Sequence, residues 1–318
     1  MRIKQFLIAV GVGTMLAACS SKEDYTTEVE RIPIRINASI EGHLAGTRAV
    51  ENSAKLHGTS FVNGEQFYVN VYYSDTKKPI SPCSPGIYGG ISDCEYNNGA
   101  IILEDVYYPH DLSAAFDVIS FFPDNVDGTT YIAGDGGFYV QKDQSTDEKY
   151  RLSDFMFASA EGHVPFETID LNFKHLMSKV IVNLSGYDSD LIENYSVYIK
   201  DVQTKTELAN EGTKNVSIAE TLDENKDIAD IKMGNYADAG VTAIVIPQTI
   251  NSGRLLFVVK IGISEYEYIT DSPITFESGH VYTFNLNFDN ETITTGTISI
   301  APWTGKDAMD HNYNGTLQ

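Results

Sequence analysis

The residues that could do chemistry are few, and most lie near the start of the chain. Cys19 closes Leu16-Ala17-Ala18-Cys19, behind basic Arg2 and Lys4 and an apolar run from Phe6 to Leu16. This is the lipobox arrangement: the thiol accepts a diacylglycerol, the peptide is cut before the cysteine, and the new amino group is acylated. The run of about 11 residues suits a signal-peptide core and falls short of the roughly 20 that span a bilayer as a helix. The other reading is an ordinary secretory signal with a cysteine near its end. Downstream, Gly46-Thr47-Arg48-Ala49 offers a bond after an arginine in a loop. Between the two lies Arg31–Glu41, in which Ile32, Ile34, Ile36, Ala38 and Ile40 alternate with Pro33, Arg35, Asn37, Ser39 and Glu41. A lipid tether, a strand and a cleavable bond in succession suggest a strand made to be cut away at the cell surface. Equally, the strand could stay in place and Arg48 be an ordinary loop residue.

Cys83 and Cys94 are the other thiols. With Cys19 lipidated they form an even pair in an oxidising compartment, bracketing a turn-rich segment that could bring the sulfurs together. Such a bridge would add roughly 3 kcal/mol in the chain-entropy account; two separate thiols are the alternative. No CxxC or histidine pair accompanies them, which argues against a metal site.

Nothing else points to catalysis. The chain lacks a nucleotide-binding glycine loop, a His-Glu-x-x-His, a nucleophile elbow and a zinc-spaced cysteine set. Its seven histidines are scattered, and His175, beside apolar Leu176-Met177, reads as a hydrogen-bonded structural residue. Asp124-Asn125-Val126-Asp127-Gly128 lacks the spacing and distal glutamate of an EF-hand loop and reads as a turn. Among 44 acidic residues some pair could face a glycoside, but nothing singles one out. We therefore expect no enzyme activity, no cofactor and no metal. The formal charge of −22, which becomes −24 once Arg2 and Lys4 leave with the signal, repels nucleic acid and anionic lipid. Nineteen tyrosines invite a sugar-binding reading, since aromatic faces stack on pyranose rings, but strands also favour tyrosine. A single tryptophan, Trp303, cannot make a flat multi-tryptophan platform.

Strands must position these residues. Period-two runs recur at Phe67–Tyr73, Lys179–Leu184, Val241–Ile246, Leu255–Ile261, His280–Phe288 and Thr295–Trp303. Gly- and Asn-rich turns such as Asn97-Asn98-Gly99 separate such runs, and no long helical period is present. Gln141–Lys149 is polar and loop-like. The pattern predicts an all-β protein of antiparallel sandwiches. We expect a signal peptide at 1–18, a lipid-anchored linker at 19–30, and β-sandwich domains at 31–166 and 167–318.

Six pieces, taken in order, carry a resemblance to a family. They are Leu16–Cys19, the first strand followed by Thr47-Arg48-Ala49, Ser153-Asp154-Phe155-Met156-Phe157-Ala158, Leu171–Val180, Gly279–Leu286 and Ile298-Ser299-Ile300-Ala301-Pro302-Trp303. Together they resemble the fimbrillins of Bacteroidales, subunits of type V pili. Lys22-Glu23-Asp24 likewise resembles the acidic tag that sends Bacteroidota lipoproteins to the outer face of the outer membrane. The resemblance implies two transthyretin-like β-sandwich domains in tandem and no enzyme activity. It also implies cleavage by an arginine-directed protease at Arg48–Ala49. That cut frees the strand bearing Ile32, Ile34, Ile36, Ala38 and Ile40, and a strand from the next subunit fills the groove by β-strand addition. Thr295–Trp303 is one candidate for the donor, and other segments are open. Partners would then be other fimbrial subunits, outer-membrane lipid through acylated Cys19, and a host or bacterial surface ligand, with no nucleic acid. Anchor subunits of this family keep lipid and first strand. A surface lipoprotein that binds glycan for nutrient uptake is the competing reading.

Overall fold

Alternation of branched apolar and polar residues makes the first strand, and the strands around it close into a barrel. The computed structural model describes residues 32–41, 60–80, 91–124, 137–186, 195–209, 216–218, 227–236, 240–289 and 292–303. The barrel strands are β1 (Pro33–Ile40), β2 (Gln66–Tyr73), β3 (Ile91–Asn97), β4 (Ala100–Tyr107), β5 (Phe116–Phe122), β7 (Met156–His163) and β8 (Ile169–His175). They are ordered β1-β4-β3-β2-β5-β7-β8, and β8 returns to β1. Neighbours are antiparallel except β1 and β8, which run parallel. Asn98 and Gly99, with φ of 50° and 92°, join β3 to β4. Positive φ at both central residues is the requirement of a two-residue type I′ hairpin, and Asn-Gly meets it. The turn at 164–167 joins β7 to β8, so the sheet changes only after His175.

The second half holds β9 (Ser178–Ser185), β10 (Tyr195–Gln203), β13 (Ile228–Lys232), β14 (Gly234–Tyr236), β15 (Gly240–Val245), β17 (Leu255–Ile261), β18 (Ser264–Ile269), β20 (His280–Asp289) and β21 (Thr292–Pro302). A four-stranded sheet, β13-β10-β17-β18, accompanies a five-stranded sheet, β14-β15-β9-β20-β21. In the latter β9 and β20 are parallel, and β21 is the edge strand, paired among the described residues with β20 alone. Smaller ladders link β11 (Lys205–Ala209) to β6 (Gly137–Tyr139) and to β12 (Ser217–Ile218), and β16 (Gln248–Ile250) to β19 (Ile274–Phe276). The protein is all-β, apart from one six-residue helix, α1 (Asp147–Leu152), among the described residues.

That helix begins inside the stretch expected to be loop. Thr146 caps it by accepting from the Lys149 amide, with Asp147 and Glu148 in the first turn where the helix dipole favours negative charge. Six residues are too few to show a helical period. Just before it, Gln144 is fully buried because its amide acts as a piece of strand. Oε1 accepts from the Ile244 amide at 2.7 Å and Nε2 donates to the Ile244 carbonyl at 2.8 Å.

Two apolar clusters organise the interior. One fills the barrel with Ile34, Ile36, Ile40, Phe67, Phe122 and Phe173, among others. The other runs through the second half and over the outer face of β2, β5 and β7, where Tyr68, Ile119, Phe121 and Phe157 join Phe138, Tyr150 and Phe155. Strand β5 is therefore covered on both faces, and all seven of its residues are buried.

Candidate functional site

Four alternating side chains of β1 enter the barrel core. Ile34, Ile36 and Ile40 are essentially inaccessible and Ala38 is 7% exposed, while Pro33, Arg35 and Asn37 face solvent. Ile32 precedes the strand and is 43% exposed, so it lies outside the buried set. Each buried isoleucine contributes roughly 1.5–3 kcal/mol by leaving water. Beneath them, Phe61, Phe67, Phe122 and Phe173 form a ring cluster with centroids 4.8–5.3 Å apart.

Hydrogen bonding holds β1 from both sides. Antiparallel β4 pairs Ile36 with Ile101 and Asn37 with Ala100, with a register shift between Pro33 and Ile34. Parallel β8 pairs Ile36 with Ile169 through Ile40 with Phe173. On the outer face Asn37 Nδ2 donates to Asp170 Oδ1 at 2.8 Å and Ser39 Oγ to Asn172 Oδ1 at 3.3 Å. The ends are tied by the Tyr108 amide to the Ile32 carbonyl at 3.1 Å and by the Glu41 amide to the Phe173 carbonyl at 2.8 Å. Among the described residues β1 is thus the one strand that joins β4 to β8. Without it, the barrel has two unpaired strand edges and an apolar slot between them, a template for another strand.

The remaining sequence-derived residues are placed as follows. Cys19, Arg48, Ala49 and Cys83 lie outside the described residues. Cys94 is buried on β3 opposite Phe67 of β2, within the barrel core. Thr295–Trp303 falls in β21 and its end, and Trp303 is buried. Among the described residues no group of three or more His, Cys, Asp or Glu side chains could hold a metal ion.

One cluster is assembled only by the fold, although the sequence marks His175 as a hydrogen-bonded structural residue. Asp154, just before β7, lies 2.7 Å through Oδ1 from His175 Nδ1 and accepts from Arg151 Nη1 through Oδ2 at 3.1 Å. Arg151 Nε also donates to Glu65 Oε1 at 2.7 Å, and its guanidinium lies 4.5 Å from the Phe122 ring centroid. The His175 ring stacks on Trp303 at 3.8 Å, with planes 4° apart, and Lys179 Nζ lies 5.7 Å from the same tryptophan. Arg151, Asp154, His175, Lys179 and Trp303 are all buried. The network ties the barrel strand β8 to β9 and to the end of β21.

Electrostatics within it differ by residue. Burial opposes the Arg151 charge, but Glu65 and Asp154 outweigh it and raise the pKa. Burial pushes Lys179 down to about 8, with Asp154 partly restoring it and Arg151 lowering it further. In the unfolded chain Lys179 titrates near 10.5, so between about pH 8 and 10.5 the unfolded state binds more protons and stability rises with pH. The cost of the buried ammonium is fully present below pH 8. Replacing Lys179 with Met should therefore stabilise the protein at pH 7, and that advantage should shrink by about 2 kcal/mol at pH 10. Urea titrations of both proteins at the two pH values test this; an advantage independent of pH would refute it.

No curated protein matches the chain in sequence. A protein of Bacteroides ovatus, provisionally named for cell adhesion, is 18% identical with a TM-score of 0.60; the match covers 87% of this chain and 99% of that one. Another of the same provisional name, from Bacteroides uniformis, is 15% identical with a TM-score of 0.58, covering 86% and 99%. At these identities the likeness is one of fold. The tip fimbrial protein Mfa3 of Porphyromonas gingivalis is 9% identical with a TM-score of 0.46, covering 86% and 99%. The sequence model of the family described as Fimbrillin-like matches residues 47–303, most of the chain, and on that match the chain belongs to the fimbrillin-like family.

Proposed function

We propose that this protein is a structural subunit or anchor of a type V fimbrium with a role in cell adhesion. It is exported as a lipoprotein on Cys19 to the outer membrane and assembled by strand donation into the site that β1 occupies. The observation that carries the reading is the position of β1: among the described residues it alone joins β4 to β8, and it lies ahead of Arg48. Cutting at Arg48–Ala49 would separate this strand and its lipid from the rest of the chain. The donor we propose, Thr295–Trp303, lies in edge strand β21, which pairs with β20 and whose end is held by the stack of Trp303 on His175. Ile298 and Ile300 are only half-buried there and repeat the spacing of Ile34 and Ile36.

Limited digestion of the full chain with an arginine-specific protease tests the reading. Cleaved protein should form an SDS-resistant ladder on unheated gels, uncut protein should remain monomeric, and a peptide spanning Arg31–Glu41 should suppress the ladder. Cleaved protein that stays monomeric would refute strand donation. Surface-harvested stalk material should begin at Ala49 on Edman sequencing, whereas an anchor should be blocked at Cys19. Peptide mapping of the same material without reductant should give one linked pair if Cys83 and Cys94 are bridged, and two alkylated peptides otherwise.

The glycan-uptake reading gains no specific support. The cleft lined by Lys200, Gln248, Asn251 and Arg254 contains no aromatic ring for a sugar face.

A further inference from the structure

Phe166 stands out among the exposed apolar residues. It follows Pro165 in the β7–β8 turn, with φ of 70° and 56% exposure. Proline then a residue at positive φ is the pattern of a type II turn, whose third position calls for glycine. A bulky ring in that position is an outlier of the kind that accompanies function. The turn is held firmly. The Glu167 amide donates to the Val164 carbonyl at 3.2 Å, and Glu167 Oε2 accepts from the Val164 amide at 3.1 Å. The ring itself lies 5.0 Å from that of Tyr108, whose amide bonds Ile32. Exposed Ile32, half-buried Tyr108 and exposed Phe166 thus form one apolar surface at the end of the barrel where β1 begins.

The parallel register gives that location its meaning. Ile36 lies beside Ile169 and Ile40 beside Phe173, so the start of β1 lies next to the turn preceding β8. A guest strand that keeps β1's pairing has its N-terminal end there. Thr295–Trp303, as donor, is joined to its own folded body through its N-terminal end. The body of the donating molecule must therefore come down at this end of the barrel, against the apolar surface.

We infer that Tyr108 and Phe166, which remain when Ile32 leaves with the excised β1, form the docking surface for the body of the neighbouring copy of this chain, whose strand fills the groove. The inference rests on the strand-donation reading and adds to it a direction for the fibre. Aromatic anchors at an interface dominate its energetics, and Phe166 is the most exposed aromatic ring of this surface.

A photoreactive phenylalanine analogue placed at position 166, and separately at Lys174, tests the direction in cells bearing fibres. Lys174 lies near the opposite end of β8, with its side chain 65% exposed. Position 166 should give an adduct of twice the subunit mass, and position 174 should not. An adduct from position 174 alone would mean that the guest strand runs the other way and would overturn the inference. So would an adduct of position 166 with a different protein or with its own N-terminal segment, or no adduct in material that forms a ladder. Absence of the ladder in wild-type material would sink strand donation itself, and this docking surface with it. Phe166→Gly provides a second check. Glycine suits the positive φ, so the melting temperature should hold, while ladder growth should slow roughly tenfold. Unchanged growth would overturn the inference.

Discussion

Ile36→Asp should displace β1 and open the barrel. Ile36 is completely buried, paired on both sides, and part of the same apolar cluster as Phe61, Phe67, Phe122 and Phe173. A carboxylate there has no partner, and an unpaired buried charge belongs to the class of substitutions that cost more than about 4 kcal/mol. For a chain of this size, each kilocalorie lowers the melting temperature by roughly 2–4 °C, so a fall of at least about 8 °C is expected. Dye binding to exposed apolar surface should rise at the same time. Arg35→Asp, one residue earlier on the solvent face, should change stability by no more than about 0.5 kcal/mol. Calorimetry and dye fluorescence on the pair measure both. Similar losses from the two substitutions would mean that β1 is not seated in this register.

Asp154→Ala should have the next largest effect. Asp154 is 1% exposed and serves His175 through one oxygen and Arg151 through the other. Removing one member of a buried ionic group leaves the rest without compensation and costs about 3–5 kcal/mol, whatever the group itself contributes. Lys179, lifted toward its charged form by Asp154, would be left beside cationic Arg151. Adding Lys179→Met should then recover part of the loss, because the two sites share a network and their effects are not additive. Denaturant midpoints of the two single variants and the double variant test this. A loss below about 1 kcal/mol in Asp154→Ala would show that water or rearrangement replaces the carboxylate.

Legibility in the sequence followed the physics of each element. β1 was readable to within a few residues because one face is apolar and period two survives, and β2, β9, β15, β17, β20 and β21 because each is a short run rich in apolar β-formers. β5 was not. Phe116–Phe122 is covered on both sides, so its sequence loses alternation and even includes buried Asp117, held by Ser74 and Lys77. α1 was too short to show a period, and Gln144 was buried by a contact to Ile244, a hundred residues away. Closure into a barrel and the two parallel pairings depend on which strands meet, and local pattern does not encode that. In the candidate site, the alternation of Ile34, Ile36, Ala38 and Ile40 was plain from the start. The ionic cluster was not, since Glu65 and Arg151 are 86 residues apart and only the fold unites them. A hint existed in Asp154, His175 and Lys179, polar residues set within otherwise apolar runs.

The unlike flanks of β1 have a consequence for subunit compatibility. Its neighbours impose two independent rulers, one antiparallel with an offset at Pro33/Ile34 and one parallel without. A sequence sliding through this slot meets both rulers in phase only at discrete positions, and a shift of one residue turns its polar side inward. The slot therefore works like a reading frame. It tolerates many apolar side chains but punishes a single insertion or deletion, so length and phase, more than residue identity, would decide which subunits can be mixed in one fibre.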